Sequence, residues 1–85
     1  MSTGKTSLQF NIIFKQEIEG GFTASVPSLS GCITYGKNLE EAQKMAIDAI
    51  EGYIVSLRKH GEPIPSDEKS FYSLVEVPQK KVHYA

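Results

Sequence analysis

Few side chains in this 85-residue chain have the chemistry of a reactive site. Cys32, the single cysteine, and the two histidines, His60 and His83, are the types that pair as thiol and imidazole in nucleophilic catalysis or that bind zinc. Their spacing fits no zinc-ligand pattern. Cys32 follows Gly31 at the start of a short strand-like run, a place suited to a small semi-buried residue. His60 stands at the end of a helical pattern, where a cation meets the negative end of the helix dipole. Carboxylates gathered around a divalent metal would support phosphodiester hydrolysis. The stretch Leu8 to Lys15 holds no Asp or Glu, however, and Glu17 and Glu19 fall in a turn. Gly4-Lys5-Thr6 resembles the end of a phosphate loop but has no Gly five residues before it, no preceding strand and no following helix. We therefore assign no catalytic residue, no metal ligand and no cofactor, and do not read the chain as an enzyme.

The remaining distinctive residues shape turns or present apolar surface. Gly20 and Gly21 fit a hairpin turn, since glycine accepts positive φ. Pro27, Gly31 and Gly36, with Cys32 between them, read as turn geometry, because proline fixes φ and glycine frees it. Leu29 is an apolar residue in a loop; it either plugs the end of the core or faces a partner. Ile47 and Val55 are apolar but lie off the main helical stripe, either as ordinary exposed residues or as a partner surface. With Tyr35, these residues form the candidate partner-binding set.

The elements that carry them follow from periodicity. Leu8, Phe10, Ile12 and Phe14 alternate with Gln9, Asn11, Ile13 and Lys15, the period of a strand with one buried face. Phe22, Ala24 and Val26 give a second strand, ended at Pro27. Cys32-Ile33-Thr34-Tyr35 is a short third strand, stopped by Gly36. Asn38 and Glu41 have the spacing of a capping box. From there Leu39, Ala42, Met45, Ala46, Ala49, Ile50, Tyr53, Ile54 and Leu57 form one apolar stripe on a helix running to about His60. Gly61 closes it, with Pro63 and Pro65 beyond. Phe71 to Val77 reads as a fourth strand, ended at Pro78. Reached through the helix, it calls for a right-handed crossover. The fold class is α+β in the order β-β-β-α-β, with one helix packed on a mainly antiparallel four-stranded sheet. Ile13, Lys15, Thr23 and Ser25 line its other, partly polar face.

Composition is that of an ordinary globular domain, with 40% hydrophobic and 22% charged residues. Residues 1–85 read as one domain, with 1–7 a flexible leader and 78–85 a C-terminal tail. A net charge of −1 shows no basic excess of the kind nucleic-acid binding uses. One cysteine allows no intrachain disulfide and fits a reducing compartment. No apolar run reaches the roughly 20 residues that span a bilayer, and the N-terminus has no signal-peptide apolar region. The cytoplasm is the expected location, with no membrane partner. A domain this small often gains from self-association, so a dimer or tetramer is expected. Val82-His83-Tyr84 is a candidate extra strand for a neighbouring subunit.

The run Glu19-Gly-Gly-Phe-Thr-Ala-Ser-Val-Pro-Ser-Leu-Ser-Gly-Cys-Ile-Thr-Tyr-Gly36, followed by Leu39-Glu-Glu-Ala42, resembles the HicB-like antitoxin family. Ala46, Ala49, Ile50, Tyr53 and the exit Gly61-Glu62-Pro63-Ile64-Pro65 continue the likeness, which covers roughly residues 8 to 77. The resemblance implies a partial RNase H-like fold and a prokaryotic antitoxin that neutralises a HicA-type mRNA interferase by binding it. Many members add a C-terminal DNA-binding module. The residues after Val77 are too few for one, so direct DNA binding is not expected of this chain. The rival reading is a solitary homo-oligomeric HicB-like domain with another protein or a small ligand as partner.

Overall fold

The computed structural model describes residues 7–81. Three strands, β1 (Ile13–Gln16), β2 (Phe22–Ser25) and β3 (Ile33–Gly36), precede one helix, α1 (Leu39–Lys59). They form an antiparallel meander in the order β1-β2-β3. Ser25 is paired with both Ile13 and Ile33, and Thr23 with both Lys15 and Tyr35.

Glycine turns set this register. Gly20 and Gly21 both adopt positive φ, 108° and 82°, and Glu17 and Gly21 close the hairpin through a backbone bond of 3.0 Å. The segment Val26–Cys32 is two successive turns. The Leu29 N–H donates to the Val26 carbonyl and the Cys32 N–H to the Leu29 carbonyl, each at 3.0 Å. Pro27 occupies the second position of the first turn, which its fixed φ suits. Gly31, with φ 77°, occupies the third position of the second.

α1 begins as the sequence indicates. The Asn38 side chain accepts the Glu41 N–H at 2.7 Å, and the Glu41 carboxylate accepts the Lys37 N–H at 2.6 Å, one residue ahead of the usual capping-box donor. At its C-terminus the Glu62 N–H reaches the Leu57 carbonyl and the Gly61 N–H the Arg58 carbonyl, the paired bonds of a Schellman motif around a glycine at φ 66°.

The helix rests chiefly on β3 and less on β2. Its buried residues are Ala42, Ala46 and Ile50. Ala42 and Ala46 meet Ala24, with Ile12, Phe14 and Phe22 beside them. Further along, Ile50 meets Val26, Leu29 and Cys32, with Phe10, Ile12, Tyr53, Ile54 and Leu57 around them. Of the expected stripe, Leu39 and Met45 are exposed. Leu39 is the first helical residue, and Met45 lies on the edge of the stripe.

Two expectations are corrected. The alternation places the first strand over Leu8–Lys15, but the ladder begins at Ile13, because β2 ends at Ser25 just before Pro27. Residues 9–11 are held by another segment. The Ser66 hydroxyl accepts the Gln9 N–H at 3.1 Å, the Asp67 N–H donates to the Gln9 carbonyl at 2.7 Å, and the Asp67 carboxylate accepts the Asn11 N–H at 2.9 Å.

The fourth strand expected at Phe71–Val77 is absent among the described residues, so the sheet has three strands and not four. The cause lies at Asp67. In a parallel ladder the Asp67 N–H and carbonyl would bond to Gln9 and Asn11 on either side of Phe10. Here the N–H does so, but the side chain takes the carbonyl's place. The Asp67 carbonyl instead accepts the Ser70 N–H at 2.9 Å in a turn. The chain is thereby directed away from β1, and residues 71–78 form no regular structure and are exposed. Of the flexible leader expected at 1–7, residues 1–6 lie outside the described residues, as does the strand expected at Val82–Tyr84. Gln79–Lys81 of the tail forms one 3₁₀ turn.

Candidate partner-binding surface

The sequence leaves three surfaces for a partner: the Val26–Cys32 loop, the open face of the sheet and the exposed flank of α1. The loop is closed inward. Leu29 is 2% exposed and packs with Val26, Cys32 and Ile50. Of the two places open to it, the structure shows the one that plugs the end of the core. The Tyr53 hydroxyl on α1 donates to the Ser30 carbonyl at 2.9 Å, fastening the loop to the helix.

The open face carries two cross-strand rows. One aligns Ile13, Ser25 and Ile33, and the other Lys15, Thr23 and Tyr35. Ile33 is 64% exposed and Tyr35 53%. Tyr35 folds back over the hairpin, its hydroxyl donating to the Gly20 carbonyl at 3.0 Å. Its ring covers Gly21, where any Cβ would overlap it. The Thr23 hydroxyl donates to the Glu17 carboxylate at 2.6 Å. This face is a small mixed patch held in place by side-chain bonds to the turn.

On α1, Ile47 and Val55 are both exposed, 43% and 56%. Eight residues rotate a helix by about 80° from a full turn, which separates the two. Ile47 lines a cleft of about 230 Å³ with Leu8, Phe10, Ile12, Ile50 and Glu51. On its other side it borders a shallow depression with Glu40, Gln43, Lys44 and Asp48. Of the residues singled out in the sequence, Ile47 alone joins this cleft. Val55, Tyr35 and Leu29 lie elsewhere.

The polar and reactive groups are accounted for locally. Cys32 is a buried free thiol, and burial pushes its pKa up, away from thiolate chemistry. The His60 Nδ1 donates to the Ser56 carbonyl at 2.8 Å at the end of α1. His83 lies outside the described residues. Among the described residues no group of three or more His, Cys, Asp or Glu stands close enough to share a metal ion. No helix among them is long and apolar enough to cross a membrane.

Gly36, expected as a turn residue with freed φ, has another role. Its φ is ordinary, but a Cβ there would overlap the Ala42 backbone. It is a point of close approach between β3 and α1. The Thr34 hydroxyl beneath the helix has no hydrogen-bond partner. Asp67 is a residue the sequence does not single out at all. Its carboxylate accepts from Ser28 at 2.5 Å and from Asn11, which binds the loop, the lead into β1 and the post-helix segment together. These hydrogen bonds, that of Ser28 first, hold its carboxyl below the usual range. A Ser-Asp pair after proline signals a turn; partners 39 and 56 residues away leave no local trace.

The profile of the family described as HicB-like antitoxin of bacterial toxin-antitoxin system matches residues 10–83. The chain belongs to the HicB-like antitoxin family. A UPF0150 protein of Thermoplasma acidophilum is 40% identical over 60 residues, covering 71% of this chain and 87% of that protein. A UPF0150 protein of Synechocystis is 35% identical over 66 residues, covering 78% and 84%. One from Helicobacter pylori is 36% identical over 59 residues, covering 69% and 82%. Membership of the HicB-like family suggests a role in a toxin–antitoxin system. It suggests a protein partner and a binding function in place of a catalytic one.

Proposed function

We propose that this HicB-like protein neutralises a HicA-type mRNA interferase in the cytoplasm by binding it and covering its active site. The observation that carries this reading is the family match across residues 10–83. Supporting it, the Cys32 thiol is buried and the His60 imidazole is bonded to the Ser56 carbonyl, while apolar side chains stand exposed on both faces of the domain. Ile47, Tyr35 and Val55 are the residues proposed to meet the toxin. Leu29 contributes from beneath, by fixing the loop. The chain acts as one domain and as a homo-oligomer, with the partial RNase H-like arrangement of its family.

The test is RNA cleavage by a HicA-type toxin encoded beside this protein, with and without a stoichiometric amount of it. The expected result is loss of cleavage with co-elution of the two proteins. Undiminished cleavage with no complex would overturn the reading. The solitary homo-oligomeric domain, with a different protein or small-ligand partner, would then take its place.

A further inference from the structure

A fold can leave a strand sequence unpaired in one chain and pair it in another. Phe71-Tyr-Ser-Leu-Val-Glu-Val77 is the most strand-prone segment outside the sheet, rich in aromatic and β-branched residues. Yet Phe71 is 89% exposed, Leu74 100% and Val75 75%. Tyr72 and Val77 are exposed as well. An arm this apolar standing in water is the kind of edge and surface that proteins otherwise cover. The molecule is drawn out accordingly, 53 Å along one axis against 31 and 26 Å along the others. Its radius of gyration is 16.8 Å, where a compact chain of this length has about 12 Å.

The body of the same chain has an opening lined mainly by apolar side chains. β1 is an edge strand of the sheet. α1 is displaced toward β3, so the flank above β1 is open. The cleft among Leu8, Phe10, Ile12, Ile47 and Ile50 lies on that flank. Asp67 marks the same edge as the place for a parallel strand. Its N–H already makes the first bond of such a ladder with Gln9, and its carboxylate fills the position of the second. The turn Asp67–Ser70 then sends the arm outward.

We propose that the arm 71–77 of one chain adds as a fourth strand to the β1 edge of a second copy, laying alternate apolar side chains into the cleft beside Ile47 and Ile50. Each chain gives an arm and receives one. The contact is therefore self-complementary and closes as a two-fold dimer, with the turn Asp67–Ser70 as the hinge of the exchange. The second copy is the occupant because the exposed apolar arm, the open β1 edge and the mainly apolar cleft are all present in every chain. The exchange needs no toxin, and it stands whether or not the antitoxin reading holds.

The test uses the full-length chain. Light scattering should give twice the 9.4 kDa of one chain. L74D/V75D, which alters both faces of an exposed arm, should give a monomer that keeps the far-UV helical signal of α1 and a cooperative unfolding transition. Exchange is then separated from self-docking by mixing. Unlabelled C32A/S73C chains, carrying a nitroxide on the thiol introduced in the arm, are refolded together with ¹⁵N-labelled wild-type chains. Broadening of the Phe10–Gln16 and Ile47–Glu51 amides in the ¹⁵N chains is the expected result. A monomeric wild type, a dimer that survives L74D/V75D, or a dimer without broadening at this edge would each overturn the proposal.

Discussion

The Tyr53 hydroxyl reaches from the middle of α1 to the carbonyl of Ser30, 2.9 Å away, and so ties the helix to the loop that carries Leu29. This bond joins elements 23 residues apart at the rim of the core. Tyr53→Phe keeps the ring and removes only the donor. It should cost about 1 kcal/mol of stability in urea unfolding, and hydrogen exchange at Gly31 and Cys32 should quicken. Unchanged exchange there would show that the loop holds itself.

Leu29→Ala should cost about 2–4 kcal/mol, the range for removing a leucine from a packed interior. Equilibrium denaturation is the measurement. A variant of wild-type stability that binds a partner less well would return Leu29 to the surface.

Gly31 and Gly36 should respond to asparagine in opposite ways. Gly31 sits at φ 77° with open space around a Cβ, and asparagine tolerates that conformation. Gly31→Asn should shift the melting temperature little. Gly36→Asn must force α1 off β3 at Ala42 and should cost at least about 1–3 kcal/mol, as overpacking does. Equal losses at both sites would contradict the distinction.

Thr34→Val replaces a hydroxyl that has no partner beneath the helix with a methyl of the same shape. The expected gain is about 1 kcal/mol, read as a higher melting temperature. A loss would reveal a bound water or partner at that hydroxyl.

Asp67 should make the fold acid-sensitive. Its folded pKa is lowered, mainly by the Ser28 hydrogen bond and then by that of Asn11. The stabilisation is therefore complete above the unfolded value of about 3.9. It is lost as pH falls through the lower folded value. Asp67→Asn should flatten the stability profile below about pH 4 while leaving the profile near neutrality parallel to wild type. An equally steep acid loss in the variant would place the sensitive carboxylate elsewhere.

Much of this architecture is written locally. The three strands, the cap at Asn38 and the stop at Gly61 follow from period and turn chemistry within a few residues. The burial of Leu29 does not, because it depends on Ile50 and Val26 arriving above it. Gly36 carries a glycine signal but not its reason, since close approach and positive φ look alike in a sequence. Phe71–Val77 shows how far pattern alone carries. The strand period is plain, but a strand also needs an edge, and Asp67 turns the chain away from the one beside it. Ile47 stands out in the sequence for leaving the stripe; its cleft comes from Leu8, Phe10 and Ile12, which sequence separates from it by a whole sheet.

The buried residues where α1 starts are Ala42 and Ala46 against Ala24, next to Gly36. None of these has a side-chain rotamer to lose on folding or to explore afterward. The fully buried contacts at that end have no rotamers of their own, and the buried side chains that do, Leu29 and Ile50 among them, lie toward the other end of the helix. Slow breathing of the core should therefore begin where the loop and the departing arm are attached, with the alanine end acting as the fixed pivot.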